Sequence, residues 1–427
     1  MPHATPLIST LVAGFGLAFV FGLVAYRLRL PAIAGYLVAG IAIGPFTPGF
    51  VADVKLAQEL AEVGVILLMF GVGLHFSVKQ LLAVRALAVP GAIGQIAVAT
   101  AAGTLVAYGL GWGLGAGLVY GLSLSVASTV VLLRALQDRG LVETDRGRIA
   151  VGWLVVEDVV MVVTLVLIPP LAGALDGRAA PVDAAAREVA KFGLDPIAAA
   201  IMLTVLKFGA FVALMLVFGR RIVPWVLHFT AHTGSRELFR LSVLAIALGV
   251  AYGSSALFGV SFALGAFFAG MVMSESTLST QAMRETLPLR DAFAVLFFVS
   301  VGMLFNPAVV LAEPVALVLT VLVIVLVKSA AAFAIVRAFG HDRDTALTIS
   351  ASLAQIGEFS FILIVLGRSL QIVPPEAVDL VVAGALVAIL VNPFLFAALD
   401  RRALRRSGKA EGGTGPAPAG PQPRDGT

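Results

Sequence analysis

Three charged residues interrupt otherwise apolar runs in this 427-residue chain. Glu157 and Asp158 stand side by side in GWLVVEDVVMVVTLVLIPP, and Lys328 lies in VLVIVLVKSAAAFAIVRAFG. If such runs cross a bilayer, a charge held in lipid costs roughly 2.5–3.5 kcal/mol on the insertion scale, so each needs a partner or a task. Asp158 is ten residues from Arg148 and Lys328 nine from Arg337. At a rise of ~1.5 Å per residue, all three share one depth near mid-membrane. Adjacent helical residues point about 100° apart, so one carboxylate can face Lys328 while the other faces a water-filled cavity. The paired acid stays ionised. The unpaired one can take a proton or, when ionised, an alkali cation. A structural ion pair needs one acid, and the sequence supplies two.

Two further segments carry polar clusters. GLSLSVASTVVLLRAL gathers Ser123, Ser125, Ser128 and Thr129, and TISASLAQIGEFSFILIVLG holds Gln355, Gly357 and Glu358. Helix breaks at these places would free backbone groups and helix ends to line a cation site, with oxygen donors that suit hard alkali ions. Ser and Thr also bond back to their own helix carbonyls or fill close helix contacts, an equal account of the hydroxyls taken alone. Glu358 tilts the balance toward a site, although it would also offset charge near crossing helices.

The elements that must hold these groups are membrane spans. The chain is 59% hydrophobic and 13% charged, with a mean hydropathy of +1.02. A soluble domain could not hide that much apolar surface. Apolar stretches predict thirteen spans, near 7–26, 31–50, 57–75, 86–109, 113–133, 148–171, 197–218, 236–252, 256–273, 289–305, 314–336, 344–367 and 376–400. The start lacks a basic n-region, so the first run reads as a permanent span. Of the 29 Lys and Arg, 22 fall in loops sharing one face with the C-terminus and five on the other. This excess marks the cytoplasmic side and predicts an outside N-terminus and an inside C-terminus. It also explains the net charge of +4 without nucleic acid, for which no basic patch with aromatic stacking exists. Six spans, one linker span and six more predict an all-α membrane protein with an inverted 6+1+6 repeat, in which spans 5 and 12 correspond. Residues 174–196 read as a mixed-charge external segment and 401–427 as a disordered cytoplasmic tail. Gly40, Gly44, Gly71 and Gly73 fit close helix packing, and Asn392-Pro393 a kink. No cysteine and five scattered histidines leave no thiolate or histidine metal site, so no cofactor is expected.

Seven strings in order resemble the monovalent cation:proton antiporter-2 family, near its Kef-type and YbaL/RosB-like members: GYLVAGIAIGP, ELAEVGVILLMFGVGLHFS, SVASTVVLLRAL, VGWLVVEDVVMV, GVSFALGAFFAGMVMSES, RDAFAVLFFVSVGMLFNP and LAQIGEFSFIL. The resemblance implies a sodium/proton antiporter-like fold with discontinuous, crossed helices 5 and 12. It further implies a homodimer, with a dimerisation part near 1–80 and 236–305 and a transport core near 86–171 and 314–400. The family's second motif acid, the ion and proton carrier, falls on Asp158; its first acid falls on Glu157 and its core lysine on Lys328. Glutathione-gated Kef proteins usually carry Gln-Asp where this chain has Glu157-Asp158, so their stoichiometry is not carried over. Many relatives add a cytosolic nucleotide-binding domain, and a gate of that kind would here come from a longer chain or a separate cytosolic subunit.

The function expected is proton exchange for a monovalent cation, K⁺ or Na⁺, across a bacterial inner membrane, with lipid as the surrounding solvent and no enzymatic step. Asp158, with Glu157 beside it, binds cation or proton, Lys328 forms a supporting ion pair with Glu157, and Ser125, Ser128, Thr129, Gln355 and Glu358 line the site. The rivals are a proton-insensitive cation channel, for which no carbonyl filter motif is present, and a membrane enzyme or sensor, for which no HExxH or serine–histidine arrangement is present.

Overall fold

The computed structural model describes residues 6–28, 30–75, 78–137, 139–142, 144–176 and 196–411. Nine helices among them are long and apolar enough to cross a bilayer, and a bent pair, Arg343–Leu353 with Glu358–Ser369, adds a tenth. Three shorter apolar helices, Ala32–Ile43, Leu114–Ser125 and Phe262–Ser274, accompany them. Outward faces carry Phe19, Leu105, Tyr252 and Leu257, all well exposed, as acyl chains in place of water require. The protein is an all-helical, multi-pass membrane protein.

In chain order the helices are α1 (Pro6–Arg27), α2 (Ala32–Ile43), α3 (Val54–His75), α4 (Val78–Gly109), α5 (Leu114–Ser125), α6 (Thr129–Gln137) and α7 (Asp145–Asp176). There follow α8 (Pro196–Leu214), running through a π turn into α9 (Arg220–His232), then α10 (Arg236–Phe258), α11 (Phe262–Ser274) and α12 (Ser279–Leu304). The last are α13 (Val309–Ala312), α14 (Pro314–Leu322), α15 (Lys328–Ala338), α16 (Arg343–Leu353), α17 (Glu358–Ser369) and α18 (Pro375–Glu411). The stretch read as an external segment falls outside the described residues except at its two ends, which are helical. Of the residues expected as a tail, 401–411 continue α18 as helix, in line with the helix-forming Ala, Leu, Arg, Lys and Glu in ALRRSGKAE, and 412–427 lie outside the described residues.

Two bundles share the molecule. In one, α12 packs along α2 and α3, and α11 packs on α3 and α10. Glycine makes this possible: a Cβ on Gly40 would strike the Val299 carbonyl and one on Gly302 the Leu37 carbonyl, while Gly73 and Gly270 meet in the same manner. In the other, α4 packs on α5, α7 and α15, α17 on α5, and α14 on α18. Between the bundles contact is slighter, along α12 with α17 and α18 and along α7 with α8 and α11.

The turn into α16 is fixed outside the spans. Asp342 caps that helix, accepting from the backbone N–H groups of Asp344 at 2.9 Å and Thr345 at 3.0 Å. These bonds and that of the Thr345 hydroxyl hold the Asp342 carboxyl below the usual carboxylate range. Its stabilising effect is therefore complete at neutral pH and lost only as pH falls through that lowered value. Replacing Asp342 with Ala should cost about 1 kcal/mol, as for other helix caps, and thermal unfolding in detergent at pH 7 and at successively lower pH should show the gap closing only in acid.

Candidate functional site

The polar segments of α5–α6 and α16–α17 are where both spans break. Residues 126–128 leave the helix after Ser125, Val126 being extended at φ −101°, ψ 133°, a conformation its β-branched side chain favours. Residues 354–357 do so after Leu353, and the two halves meet at 43°. The breaks touch: a Cβ on Gly357 would lie 2.6 Å from the Ser128 Cα, so only glycine allows this approach. Unwound backbone inside a low-dielectric core must find partners elsewhere.

Side chains from four helices and from the opposite break provide them. Glu157 on α7 accepts the Ala127 N–H at 2.8 Å. Gln355 clamps the opposite break, its Oε1 accepting the Ser128 N–H at 2.8 Å and its Nε2 donating to the Ser128 and Ser352 carbonyls at 3.2 Å. Lys328, fully buried and placed directly after a π turn, donates from Nζ to the Gln355 carbonyl at 2.6 Å. Gln95 on α4 donates to the Ser125 carbonyl at 2.9 Å and accepts from Trp153 Nε1 at 3.2 Å. Asn392 on α18 donates to the Ala351 carbonyl at 2.9 Å, and Ser329 to the Ser350 carbonyl at 3.0 Å. Glu157 and Lys328 thus fasten one break each. They attract as opposite charges, but among the described residues no direct ion pair joins them.

The acids are left partly unsatisfied. Asp158 is 8% exposed, with its Oδ2 3.5 Å from the Thr129 hydroxyl and its Oδ1 without a partner. Glu358 opens α17, a favourable place for negative charge, yet its Oε2 is also buried and unpartnered, as is Oε1 of Glu157. Glu358 is the stronger electrostatic neighbour of Asp158, ahead of adjacent Glu157. Buried carboxylate oxygens without donors are costly; a proton or a monovalent cation removes that cost.

The structure therefore gathers Glu157, Asp158, Thr129, Gln355, Glu358 and Lys328 around one crossing. The remaining hydroxyls turn inward to their helices: Ser125 bonds the Leu122 carbonyl at 2.8 Å, and Ser128 accepts the Val131 N–H at 3.3 Å as a cap of α6. Ser360 on α17 also donates to the Val126 carbonyl at 3.4 Å. Gln95, Ser329 and Ser360 are not among the expected site residues, and Asn392 is expected only at a kink. Gln95 was detectable as a lone amide in the apolar run GAIGQIAVAT.

Crossed, broken helices around buried acids in a bilayer-spanning bundle define a helical membrane carrier. The sodium proton antiporter MjNhaP1 from Methanocaldococcus jannaschii has a similar fold, with a TM-score of 0.65 at 15% identity over 92% of this chain and 97% of that one. The family described as sodium/hydrogen exchanger, transmembrane, matches residues 15–400, and the chain belongs to it. Among relatives, YbaL of Escherichia coli (strain K12), which bears the name of a cation/proton antiporter, is 58% identical over 94% of this chain and 70% of its own length. The K(+) efflux antiporter 4 of Arabidopsis thaliana is 32% identical over 91% of this chain and 63% of its own length.

A methyl group tests the crossing. Gly357→Ala should force the breaks apart and lower thermal stability in detergent, whereas Gly16→Ala, which has nothing within 4 Å, should leave it unchanged or raised by helix propensity. Equal melting of the two variants would contradict the contact.

Proposed function

We propose that this protein exchanges protons for a monovalent cation by alternating access, with Asp158 holding one or the other. The observation that carries this reading is the Asp158 Oδ1: buried, unpartnered and set beside a helix break, Thr129 and Glu358. When ionised, Asp158 offers oxygen to an alkali ion, with Thr129 and Glu358 beside it; when protonated, it releases the ion. Both ligands use one group, so each excludes the other. Carrying Asp158 across the membrane empty and ionised would move a bare charge through low dielectric, which suppresses leak.

The lining roles divide accordingly. Thr129 and Glu358 face the acid, Glu157 and Lys328 hold the two breaks, and Gln355, Ser125 and Ser128 shape the backbone around the ion. The thirteen-span, 6+1+6 inverted arrangement, with the N-terminus outside and the C-terminus inside, is supported by the 22-to-5 division of basic residues. In this reading α1–α3 and α10–α12 form the stationary part, which joins two chains as a homodimer in the bacterial inner membrane. The bundle of α4–α7 and α14–α18 is the moving core. The glycine-sealed packing within the first bundle and the slighter contact between bundles favour that division. The names of the plant relatives make K⁺ the first cation to test, with Na⁺ beside it. A separate cytosolic regulatory subunit is a further expectation of this reading.

The test is exchange in proteoliposomes under an imposed pH gradient, with K⁺, Na⁺, Li⁺ and Rb⁺ supplied in turn. The unaltered protein should dissipate the gradient on cation addition, and Asp158→Asn should abolish the response. Wild-type exchange by Asp158→Asn would refute the assignment, and cation flux indifferent to the proton gradient would favour a channel.

A further inference from the structure

A second buried carboxylate lies away from the crossing, where the two bundles meet. Asp379, in the second turn of α18, is 7% exposed, and its Oδ1 accepts the backbone N–H of Asn306 at 2.7 Å. Asn306 follows α12, which ends at Leu304, so its N–H has left the helix and needs an acceptor. The residue is shaped for this: its own Oδ1 accepts the Ala308 N–H at 3.0 Å, and Pro307 behind it favours extended backbone. The bond therefore joins the stationary bundle to the core.

The surroundings suit a contact that breaks. A cavity of about 720 Å³ opens beside the bond, walled by Phe46, Gln58 and Asn306 from one side and Arg368, Glu376 and Asp379 from the other. Deeper along α12, the Phe298 ring meets Phe361 of α17 edge-on at 6.1 Å. A carboxylate leaving the Asn306 N–H opens onto this cavity, where water can replace the lost donor and Arg368 offsets the like charge of Glu376. A hydrogen bond of this length cannot survive a shift of the core against α12 by several ångströms.

We infer that Asp379 and the Asn306 N–H form a latch between core and stationary part at the end of the molecule opposite the basic loops, one that opens and recloses in each transport cycle. The inference rests on the alternating-access reading above. Asp379 is a positioning residue here: it touches no ion at the crossing and acts through the placement of α18.

The cysteine-free sequence allows a direct test. In proteoliposomes the Asn306→Cys/Asp379→Cys variant should exchange when reduced, fall by roughly tenfold or more when oxidised to the disulfide, and recover on reduction. Exchange that persists in the oxidised, cross-linked protein would overturn the latch. A second readout needs no transport and so separates this idea from the exchanger reading. Spin labels at Leu257→Cys and Val315→Cys, both exposed and on opposite bundles, should give a narrow distance distribution with Asp379 present and a broader or shifted one with Asp379→Ala. Identical distributions would overturn the latch even where the exchange assay succeeds.

Discussion

Everything at the centre of this protein follows from one constraint: a peptide group unwound inside a bilayer has no water to bond. Two spans are broken at the same place, and each break exposes N–H and C=O groups that an intact helix would have paired. The fold answers with Glu157, Gln355, Lys328, Gln95 and Asn392, each donating to or accepting from a break. The helices that supply them, α4, α7, α15 and α18, must pack around the crossing, and this fixes the shape of the core.

The same constraint explains which acid stays available. Glu157 has one oxygen committed to the Ala127 N–H and the opposite charge of Lys328 nearby. Asp158, one residue on, points about 100° away around the helix. It meets a long contact from the Thr129 hydroxyl and the like charges of Glu358 and Glu157. In the exchange proposed above, a site that holds a small cation and then lets it go needs such incomplete satisfaction. A carboxylate given two or three good donors would hold its charge permanently and bind neither proton nor ion with useful reversibility.

Much of this was legible in the sequence, and the reasons are physical. Ionisable residues in apolar runs are so costly that Glu157, Asp158, Lys328 and Glu358 announce themselves. The Ser and Gly clusters located both breaks because those residues weaken helices. What one chain could not reveal was pairing across space. Lys328 was expected to bond Glu157, whereas each instead holds a different break, because a carbonyl and an amide N–H lay closer than the opposite charge. Amides such as Gln95 and Asn392 carry no charge penalty and so give a fainter signal. The serine hydroxyls were ambiguous, and at Ser125 and Ser128 local backbone bonding won.

The distribution of glycine and polar contact separates what must be rigid from what can slide. Within the first bundle, Gly40 with Gly302 and Gly73 with Gly270 bring backbones so close that no side chain fits between them. Such surfaces interlock, and translation along them would drive carbonyls into Cα atoms. Within the core bundle, Gly357 against Ser128 does the same for the crossing. Between the bundles the described contacts are of another kind: the edge-on rings of Phe298 and Phe361 and the Asp379 carboxylate bond beside a cavity of about 720 Å³. Rings slide over one another at small cost, and a solvated carboxylate can exchange one donor for another. In the alternating access proposed above, the boundary along which the bundles would shear follows from where the chain places glycine and where it places phenylalanine and aspartate.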